Sequence, residues 1–538
     1  MLLLEGGTSQ DVATDIPAFG STMKTENYIW PGVTVAQRNM GLGYNGAILG
    51  SAEGDVLGGS STIGDLLYSR GHRSIYDRWA NVYGATGWNF NTVLPYFLRS
   101  ENNTSPQIVD GNPFYHSTTG PLKVSSIKNP DLILTKLQHQ FNVMGIPTVD
   151  INGPTQLGTA MYQITADGVR YSSATAFLDP NPYPENLHIL SNVFVGYVLF
   201  DGRRAIGVSY DQDGVKKSVN ARREVIASLS TYGDAVLLML SGVGPSDHLR
   251  SFNISVLADL PVGNNVQDHP AVTHYYEIVN NSLLNDPVGP TVQQLYQFYA
   301  TNSGPLTENP HLVAYFSVPG NAEPQVPNGI ISAQTMTLSS NLSELVLPFP
   351  STMQNQWRQY FAPIAGKTVL ALTSALMRPY SRGTMRLTST DPKGYPLIDP
   401  NYLADQRDQM SLNKLTEMLF YLTQETEFAK YAKPVSMPVP GCEKFYCSEI
   451  PLYLCHDYVQ CIVRQIGREG RHQVGTCRMG AVSRDDTVVD EKLRVKGVDR
   501  LRIIDVSIIP EIPNSETLAA AYMIGEYGAQ MVIDDNRQ

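Results

Sequence analysis

Short apolar runs alternate along the chain with stretches rich in glycine and proline, a pattern typical of a mixed α/β protein. Several runs have the length and composition of β-strands, namely residues 187–190, 195–200, 205–210 and 224–229. Residues 235–240 form a helical run that Gly242 and Pro245 end. From 270 to 440 strands and helices alternate with many prolines, which predicts an antiparallel sheet that carries a binding pocket.

The tail of the chain has the most informative pattern. His472 begins a loop that continues Gln-Val-Gly-Thr-Cys-Arg-Met-Gly480 and precedes a buried strand predicted at 502–505. A proline-bounded loop follows, and then a helix predicted from Glu516 to about residue 533.

The first residues are typical of one strand of a dinucleotide-binding fold. Met1 to Leu4 are apolar and end at Glu5, whose carboxylate would bond a ribose hydroxyl. The Gly-x-Gly-x-x-Gly turn expected before such a strand is missing. A literal match at 41–46 has no apolar strand ahead of it, so we interpret it as an ordinary loop.

A second glycine turn lies at Gly58, Gly59 and Ser60. Backbone N–H groups in such a loop can approach an anion closely. The alternative is a strand-to-helix turn that binds nothing.

Composition narrows the possible functions. A chain of 538 residues with 42% hydrophobic and 17% charged residues predicts two folded domains. The net charge of −11 argues against nucleic acid and anionic membrane surfaces as partners. No apolar run reaches the length of a membrane span, and the first five residues are too short for a secretory signal.

Cysteines and sequons indicate the compartment. Four of the five cysteines lie close together, at positions 442, 447, 455 and 461, and Cys477 is interpreted as a buried small residue. Asn-x-Ser/Thr sequons begin at Asn102, Asn103, Asn253, Asn280 and Asn341. Together they favour a secreted glycoprotein with one or two disulfides. The alternatives are a reduced intracellular protein and, least favoured, a zinc site.

Further motifs complete a family resemblance. They are the run from Gly168 through Arg170 and Ser172 to Pro180, Gln267-Asp268-His269, Ser381-Arg-Gly383, Asp399-Pro400 and Val489-Asp490. With the His472 loop, these motifs resemble the glucose–methanol–choline (GMC) oxidoreductases, most of all insect members of the glucose dehydrogenase type.

The resemblance implies an α/β fold of two interleaved domains. One is a Rossmann-like FAD domain, incomplete here, and the other carries substrate on an antiparallel sheet. The expected FAD-domain segments are 1–125, 181–269 and 471–538, and the expected substrate-domain segments are 126–180 and 270–470.

The resemblance also implies an activity, the oxidation of a CH–OH group in a small hydroxylated substrate, with FAD as cofactor. His472 would be the base and Glu516 its acid–base partner or the group that orients its tautomer, while His269 is interpreted as structural. The cofactor contacts it implies are at Glu5, Gly58, Gly59, Ser60, Val193, Asp505, Val506 and Thr517.

Several residues depart from the family pattern, and most of them would lie near the cofactor. Asp55 stands at a basic position, Gly64 at an asparagine, and Thr231 and Val506 at smaller residues. Glu516 stands at a histidine or asparagine, where it could also complement the dipole of the last helix, with Ser515 as the cap. Loss of FAD would explain these departures together.

Three functions stay open at this point. The first is the FAD-dependent oxidoreductase. The second is a flavin-free lyase, isomerase or cyclase that uses His472 and Glu516, and the third is a catalytically silent secreted binding protein.

Overall fold

The computed structural model describes residues 1–23, 27–285, 290–435 and 438–537. Its helices are α1 Ser60–Ile63, α2 Arg73–Asn81, α3 Phe90–Ser100, α4 Pro106–Gly111, α5 Leu132–Val143, α6 Ser173–Phe177, α7 Ser230–Leu240, α8 Ser246–Ser251, α9 Val292–Thr301, α10 Ser343–Val346, α11 Gln354–Phe361, α12 Gln406–Gln424, α13 His456–Ile466 and α14 Leu518–Asn536.

Most strands are short. They are β1 Leu2–Leu4, β2 Ile29–Trp30, β3 Glu53–Gly54, β4 Leu67–Tyr68, β5 Glu101–Asn103, β6 Leu122–Ser126, β7 Thr159–Met161, β8 Gln163–Ile164, β9 Ala166–Asp167, β10 Val169–Arg170, β11 His188–Leu190, β12 Val193–Asp201, β13 Arg204–Gln212, β14 Val215–Asn220, β15 Val225–Ala227, β16 Val243–Gly244, β17 Ala258–Asp259, β18 Asn264–Val266, β19 Pro270–Ile278, β20 His311–Phe316, β21 Gly329–Thr337, β22 Thr368–Leu376, β23 Gly383–Arg386, β24 Leu397–Asp399, β25 Ala432–Pro434, β26 Gly467–Glu469 and β27 Leu501–Ile503.

Two parallel strand pairs form one part of the fold. β1 pairs with β11, and β15 pairs with β27, so each pair joins segments far apart in sequence. The apolar residues of α7 and of the first turns of α14 lie in one hydrophobic core with the buried residues of β15 and β27. Parallel pairs need crossover connections, which explains why strands from the start, middle and end of the chain meet here.

An antiparallel sheet forms the other part. Its strands run in the order β25, β19, β22, β21, β20, β7, with β26 also paired to β19. Leucines of α12 at 412, 415 and 419, spaced three or four apart, are fully buried in the core that also contains this sheet's apolar residues. Each such leucine contributes roughly 2 kcal/mol by burial. Because these strands fall between those of the parallel pairs in sequence, the two parts are interleaved, while the five segment boundaries stay a prediction.

The sequence predicted one or two disulfides, and the structure has two. Cys442 bonds Cys461 and Cys447 bonds Cys455, while Cys477 is free and buried. The described residues hold no cluster of three or more histidines, cysteines or carboxylates that could bind a metal, so nothing among them supports the zinc alternative. Within the described ranges, no helix combines the length and apolar character that crossing a bilayer requires.

One sequon is inaccessible. Asn103 lies in β5 with only 3% of its surface exposed, and its side-chain amide donates to Gln163 at 2.8 Å. A glycan there would need this buried amide in solvent, so the folded chain does not present Asn103 for glycosylation. Burial of a polar residue has no local signal in the sequence, and glycosylation at the other four sequons stays a prediction.

Candidate active site

Strand pairing brings the two motif histidines together. β19 and β26 run antiparallel with Pro270 opposite Glu469, and a bridge joins Gln267 to Val474. His269 therefore lies beside the turn that leads to His472. A Cβ on Gly470 would lie 2.5 Å from the His269 carbonyl oxygen, so only glycine allows this approach.

Asp268 holds both histidine segments by their backbone. Its Oδ1 accepts hydrogen bonds from the N–H of His269 at 2.8 Å and of His472 at 2.7 Å. Its Oδ2 accepts the Tyr402 hydroxyl at 2.5 Å and the side-chain amide of Gln473 at 3.4 Å. A buried carboxylate with these donors fixes the two loops relative to each other.

The structure places the two predicted catalytic residues in contact. His472 Nε2 lies 2.5 Å from Glu516 Oε2, and the two side chains are 18% and 16% exposed. On its other side, His472 Nδ1 lies 2.9 Å from Nδ1 of His269. His472 is therefore a partly exposed histidine with a polar contact at each ring nitrogen.

Glu516 is held as a carboxylate. Burial raises its pKa, but the charge and hydrogen bond of His472 and the hydroxyl of Tyr162 lower it more, so the net pKa lies below the usual range. The Tyr162 hydroxyl donates to Glu516 Oε1 at 3.2 Å. Two acceptors cannot approach to 2.5 Å, so the short contact with His472 contains a proton.

The interpretation of Glu516 as a residue of the last helix was wrong. Helix α14 begins at Leu518, with Thr517 at the N-cap position, and the Ser515 hydroxyl donates to the Glu516 carbonyl instead of capping the helix. The loop ahead of α14 bonds elsewhere in the fold. Asn514 donates to Gln156 at 3.0 Å, and Gln267 accepts from Ile512 N–H at 3.1 Å, which aims Glu516 at His472.

Seven of the eight predicted cofactor contacts fall into two neighbouring groups, and the eighth, Thr517, is the N-cap residue of α14. In the first, Glu5 follows β1 and accepts Gly7 N–H at 3.0 Å, while its carbonyl accepts from Val193 N–H at 3.0 Å. Burial raises the pKa of Glu5, and the charge of Asp55 raises it further. The turn at Gly58 and Gly59 has positive φ and leads into α1, whose first residue Ser60 accepts Gly54 N–H at 3.0 Å.

The second group surrounds the end of β27. Asp505 accepts Ser230 N–H at 2.7 Å and caps a 3-10 helix, Val506–Ile508, whose first carbonyl accepts from Gly475 in the His472 loop at 3.3 Å. Glu53 of β3 accepts the Ser230 hydroxyl at 3.0 Å. β3 runs directly into Asp55, so it connects the two groups.

Glu53 is a buried carboxyl that the sequence did not indicate. Only 7% of its surface is exposed, and its Oε2 is buried without a hydrogen-bond partner among the described residues. Burial raises its pKa to about 8, with a smaller contribution from the charge of Asp505. Glu53 therefore carries a proton at neutral pH.

These residues fit FAD, the cofactor that the family resemblance implies. Glu5 presents a carboxylate suited to ribose hydroxyls, and Gly58 and Gly59, both at positive φ, bring no Cβ atoms to the turn. A proton on Glu53 removes one negative charge that would oppose the pyrophosphate. The negative charge of Asp55 still repels the pyrophosphate. We therefore expect FAD to bind more weakly than it would with a basic residue at position 55.

Three contacts of the site were missed in the sequence. Tyr162 bonds Glu516, Tyr402 bonds Asp268, and Glu53 adjoins Ser230. The only local signal was the Gln267-Asp268-His269 motif, whose three members all bond to the tail. For Thr231 the sequence indicated only a larger side chain near the cofactor. In the structure its hydroxyl donates to the Gln473 carbonyl at 2.6 Å and so holds the His472 loop.

Comparison with known proteins identifies the family of the chain. Family models described as GMC oxidoreductase match residues 2–271 and 379–525. Ecdysone oxidase of Bombyx mori is 30% identical over 99% of this chain and 78% of its own length. Glucose dehydrogenase [FAD, quinone] of Drosophila pseudoobscura pseudoobscura is 31% identical over 99% of this chain and 82% of its own length.

Solved structures share the fold. Pyridoxine 4-oxidase from Mesorbium loti matches with a TM-score of 0.80 at 23% identity, covering 99% of this chain and 94% of that structure. A formate oxidase matches with a TM-score of 0.83 at 22% identity, covering 100% and 94%. The chain therefore belongs to the GMC oxidoreductase family, in the branch that includes the insect enzymes, and has its mixed α/β two-domain fold.

Proposed function

We propose that this protein oxidises the CH–OH group of a small hydroxylated substrate with FAD, and that the His472–Glu516 pair takes the hydroxyl proton. The observation that carries the proposal is the 2.5 Å contact between His472 Nε2 and Glu516 Oε2, whose side chains are both partly exposed. Family membership supports alcohol-type oxidation, and the proton-transfer roles are our assignment.

The chain's residues would divide the reaction between them. FAD, when bound, supplies the acceptor for the hydride that leaves the carbinol carbon. The His472–Glu516 pair takes the proton of the hydroxyl oxygen, so the substrate leaves as a carbonyl compound. Tyr162 orients Glu516 through its hydroxyl, and Asp268 fixes the His472 backbone so that the ring meets substrate in one orientation.

The substrate class follows only in outline. Relatives are named for the oxidation of ecdysone and of glucose, a steroid and a sugar that share hydroxyl groups and little else. We propose a small alcohol-type substrate without choosing between them. The two disulfides fit an oxidising compartment, and we propose that the protein is secreted.

The test begins with the purified full chain. We expect its visible absorption spectrum to show FAD in stoichiometric amount, and anaerobic addition of primary and secondary alcohols, glucose and ecdysone to bleach that absorbance with at least one of them. A folded, monodisperse sample that contains no FAD and takes up none on addition would overturn the oxidoreductase proposal.

A second function has a specific observation in its favour. The pair already combines an acid and a base, and Asp55 and Glu53 place carboxyls near the expected phosphates. A flavin-free chain with this pair would move protons within a hydroxylated substrate, as a lyase, isomerase or cyclase does. Turnover without FAD that is lost in His472→Gln would support it, and no turnover at all would leave a silent binding protein.

Replacing Asp55 with lysine should tighten FAD binding. The carboxylate of Asp55 lies over Gly6, where an added Cβ would come within 2.6 Å of Oδ1, beside Glu5. Reversing this charge removes a repulsion from the pyrophosphate, and we expect an about tenfold lower dissociation constant. The measurement is a titration of FAD fluorescence with protein.

The matched control is Asp110→Lys, which reverses an exposed charge on α4. It should leave the dissociation constant unchanged at the same ionic strength. Equal or weaker FAD binding in Asp55→Lys would show that Asp55 does not face the cofactor phosphates.

A further inference from the structure

Five exposed arginines, the arginine cluster, lie together at one end of the sheet formed by β12, β13 and β14. Arg203 and Arg204 lie at the hairpin turn that leads from β12 into β13. Arg222 and Arg223 follow β14 at the same end of the sheet. Arg500 directly precedes β27. Because Arg500 comes from a distant part of the sequence, only the fold joins its charge to the other four.

Hydrogen bonds tie the three segments of the cluster to one another. The Asp499 N–H donates to the Arg203 carbonyl at 2.9 Å, and the side chain of Arg203 donates to the Gly497 carbonyl at 3.0 Å. The side chain of Arg500 donates to the Arg222 carbonyl at 3.4 Å. Contacts within the fold therefore set the positions of the three segments that carry the arginines.

Carboxylates neutralise little of this charge. Arg204 pairs with Asp201 at 3.0 Å. Glu224, which adjoins Arg223 in sequence, pairs with Arg502 outside the cluster at 2.7 Å. In the part of the chain that the structure describes, the other four arginines of the cluster have no carboxylate oxygen within 4.0 Å of a side-chain nitrogen, namely Arg203, Arg222, Arg223 and Arg500. The cluster is therefore a positive surface on a chain whose net charge is −11.

An open hollow of about 370 Å³ adjoins the cluster and shares Arg500 with it. Arg494 and Lys496 also line the hollow, together with the exposed Asp499 and with Asp490, whose carboxylate pairs with Arg494 at 2.7 Å. Its volume lies within the range of about 300–1,000 Å³ that is usual for small-ligand sites. A hollow of this size can take one unit of a longer ligand whose other units contact the arginines.

The cluster lies away from the candidate active site. β15 and β27 run parallel, with Val225 opposite Leu501. The arginines lie at the amino ends of these two strands, whereas Ser230 and Asp505 of the expected cofactor site follow their carboxyl ends. At roughly 3.3 Å per residue, the strands separate the two regions by about 10 Å. A ligand on the cluster therefore leaves the active site open, and the inference does not depend on the proposed oxidation.

We propose that the arginine cluster binds a linear sulfated polysaccharide. Guanidinium groups hold sulfate and carboxylate oxygens through paired hydrogen bonds, and every member of the cluster is an arginine. A polymer with repeating anionic groups contacts several arginines at once, which a single small anion cannot do. The two disulfides fit an oxidising compartment outside the cell, where sulfated polysaccharides are more common polyanions than nucleic acids.

The test is binding of the full chain to a fluorescent heparin dodecasaccharide at about 0.15 M NaCl. The triple variant Arg203→Gln, Arg222→Gln, Arg223→Gln should bind at least about tenfold more weakly, with an affinity that depends less steeply on salt. If loss of the bond from Arg203 to Gly497 lowers the thermal midpoint, Arg222→Gln with Arg223→Gln alone should still weaken binding. No binding of the wild-type chain, or equal binding of the desulfated dodecasaccharide, would overturn the proposal.

A matched triple variant removes the same number of charges from exposed lysines elsewhere, with Lys128→Gln, Lys433→Gln and Lys444→Gln. It should bind the dodecasaccharide as tightly as the wild-type chain does. Equal weakening in the two triple variants would show a diffuse attraction and would remove the cluster as the binding surface. Tighter binding of duplex DNA or of anionic lipid vesicles than of the dodecasaccharide would overturn the choice of a polysaccharide.

Discussion

Replacement of His472 with glutamine should lower kcat/KM by about 100- to 10,000-fold, the range for loss of a general acid–base group. Glutamine preserves hydrogen bonding and approximate size, but it cannot take up or release a proton at the position where His472 Nε2 lies 2.5 Å from Glu516 Oε2. The measurement is the initial rate of bleaching of flavin absorbance with the best alcohol found for the wild-type chain.

The control for this variant is His188→Gln, an exposed histidine in β11. Both variants should retain FAD and the wild-type thermal midpoint, so that a slower rate reports on chemistry. Unchanged kcat/KM in His472→Gln would remove His472 from the mechanism and would leave Glu516 as the candidate base.

Replacement of Asp268 with asparagine should lower the free energy of unfolding by about 4 kcal/mol. Its two oxygens accept from the backbone of His269 and His472, from the Tyr402 hydroxyl, and from Gln473. Asparagine keeps one acceptor but turns an NH₂ group towards donors, which leaves buried N–H and O–H groups unpaired.

Urea denaturation followed by tryptophan fluorescence would measure this loss, because Trp79, Trp88 and Trp357 are fully buried in the hydrophobic cores. The matched variant Asp247→Asn changes a fully exposed carboxylate and should leave the urea midpoint unchanged. If Asp268→Asn unfolds at the wild-type midpoint, the hydrogen bonds to Asp268 do not hold the two loops.

Much of the fold could be predicted from sequence, because the motifs that carry it are dense and local. The GMC resemblance, the mixed α/β fold and the paired cysteines were confirmed. The apolar runs at 195–200 and 205–210 lie within β12 and β13. The start of the last helix was misplaced by two residues because Ser515 and Glu516 have the composition of a helix cap while bonding otherwise.

The candidate site was less accessible to sequence reasoning. His472 could be named because it begins a family motif, and Glu516 because it replaces the family's usual histidine or asparagine. Their catalytic roles stay a prediction. Asp268 holds the His472 loop by accepting a hydrogen bond from a segment more than 200 residues away in sequence, and no local pattern shows such a pairing. Glu53 was missed because a glutamate in a two-residue strand resembles a surface residue, and only the packed fold buries it.

The pairing of β19 with β26 also has a consequence for when the site forms. His269 and His472 are separated by 203 residues, so their contact closes a long loop, and we expect it to form late in folding. Glu516 arrives later still along the chain, after β27. We therefore expect proton-transfer competence to be the last property acquired during folding, after the hydrophobic cores on which the pair rests.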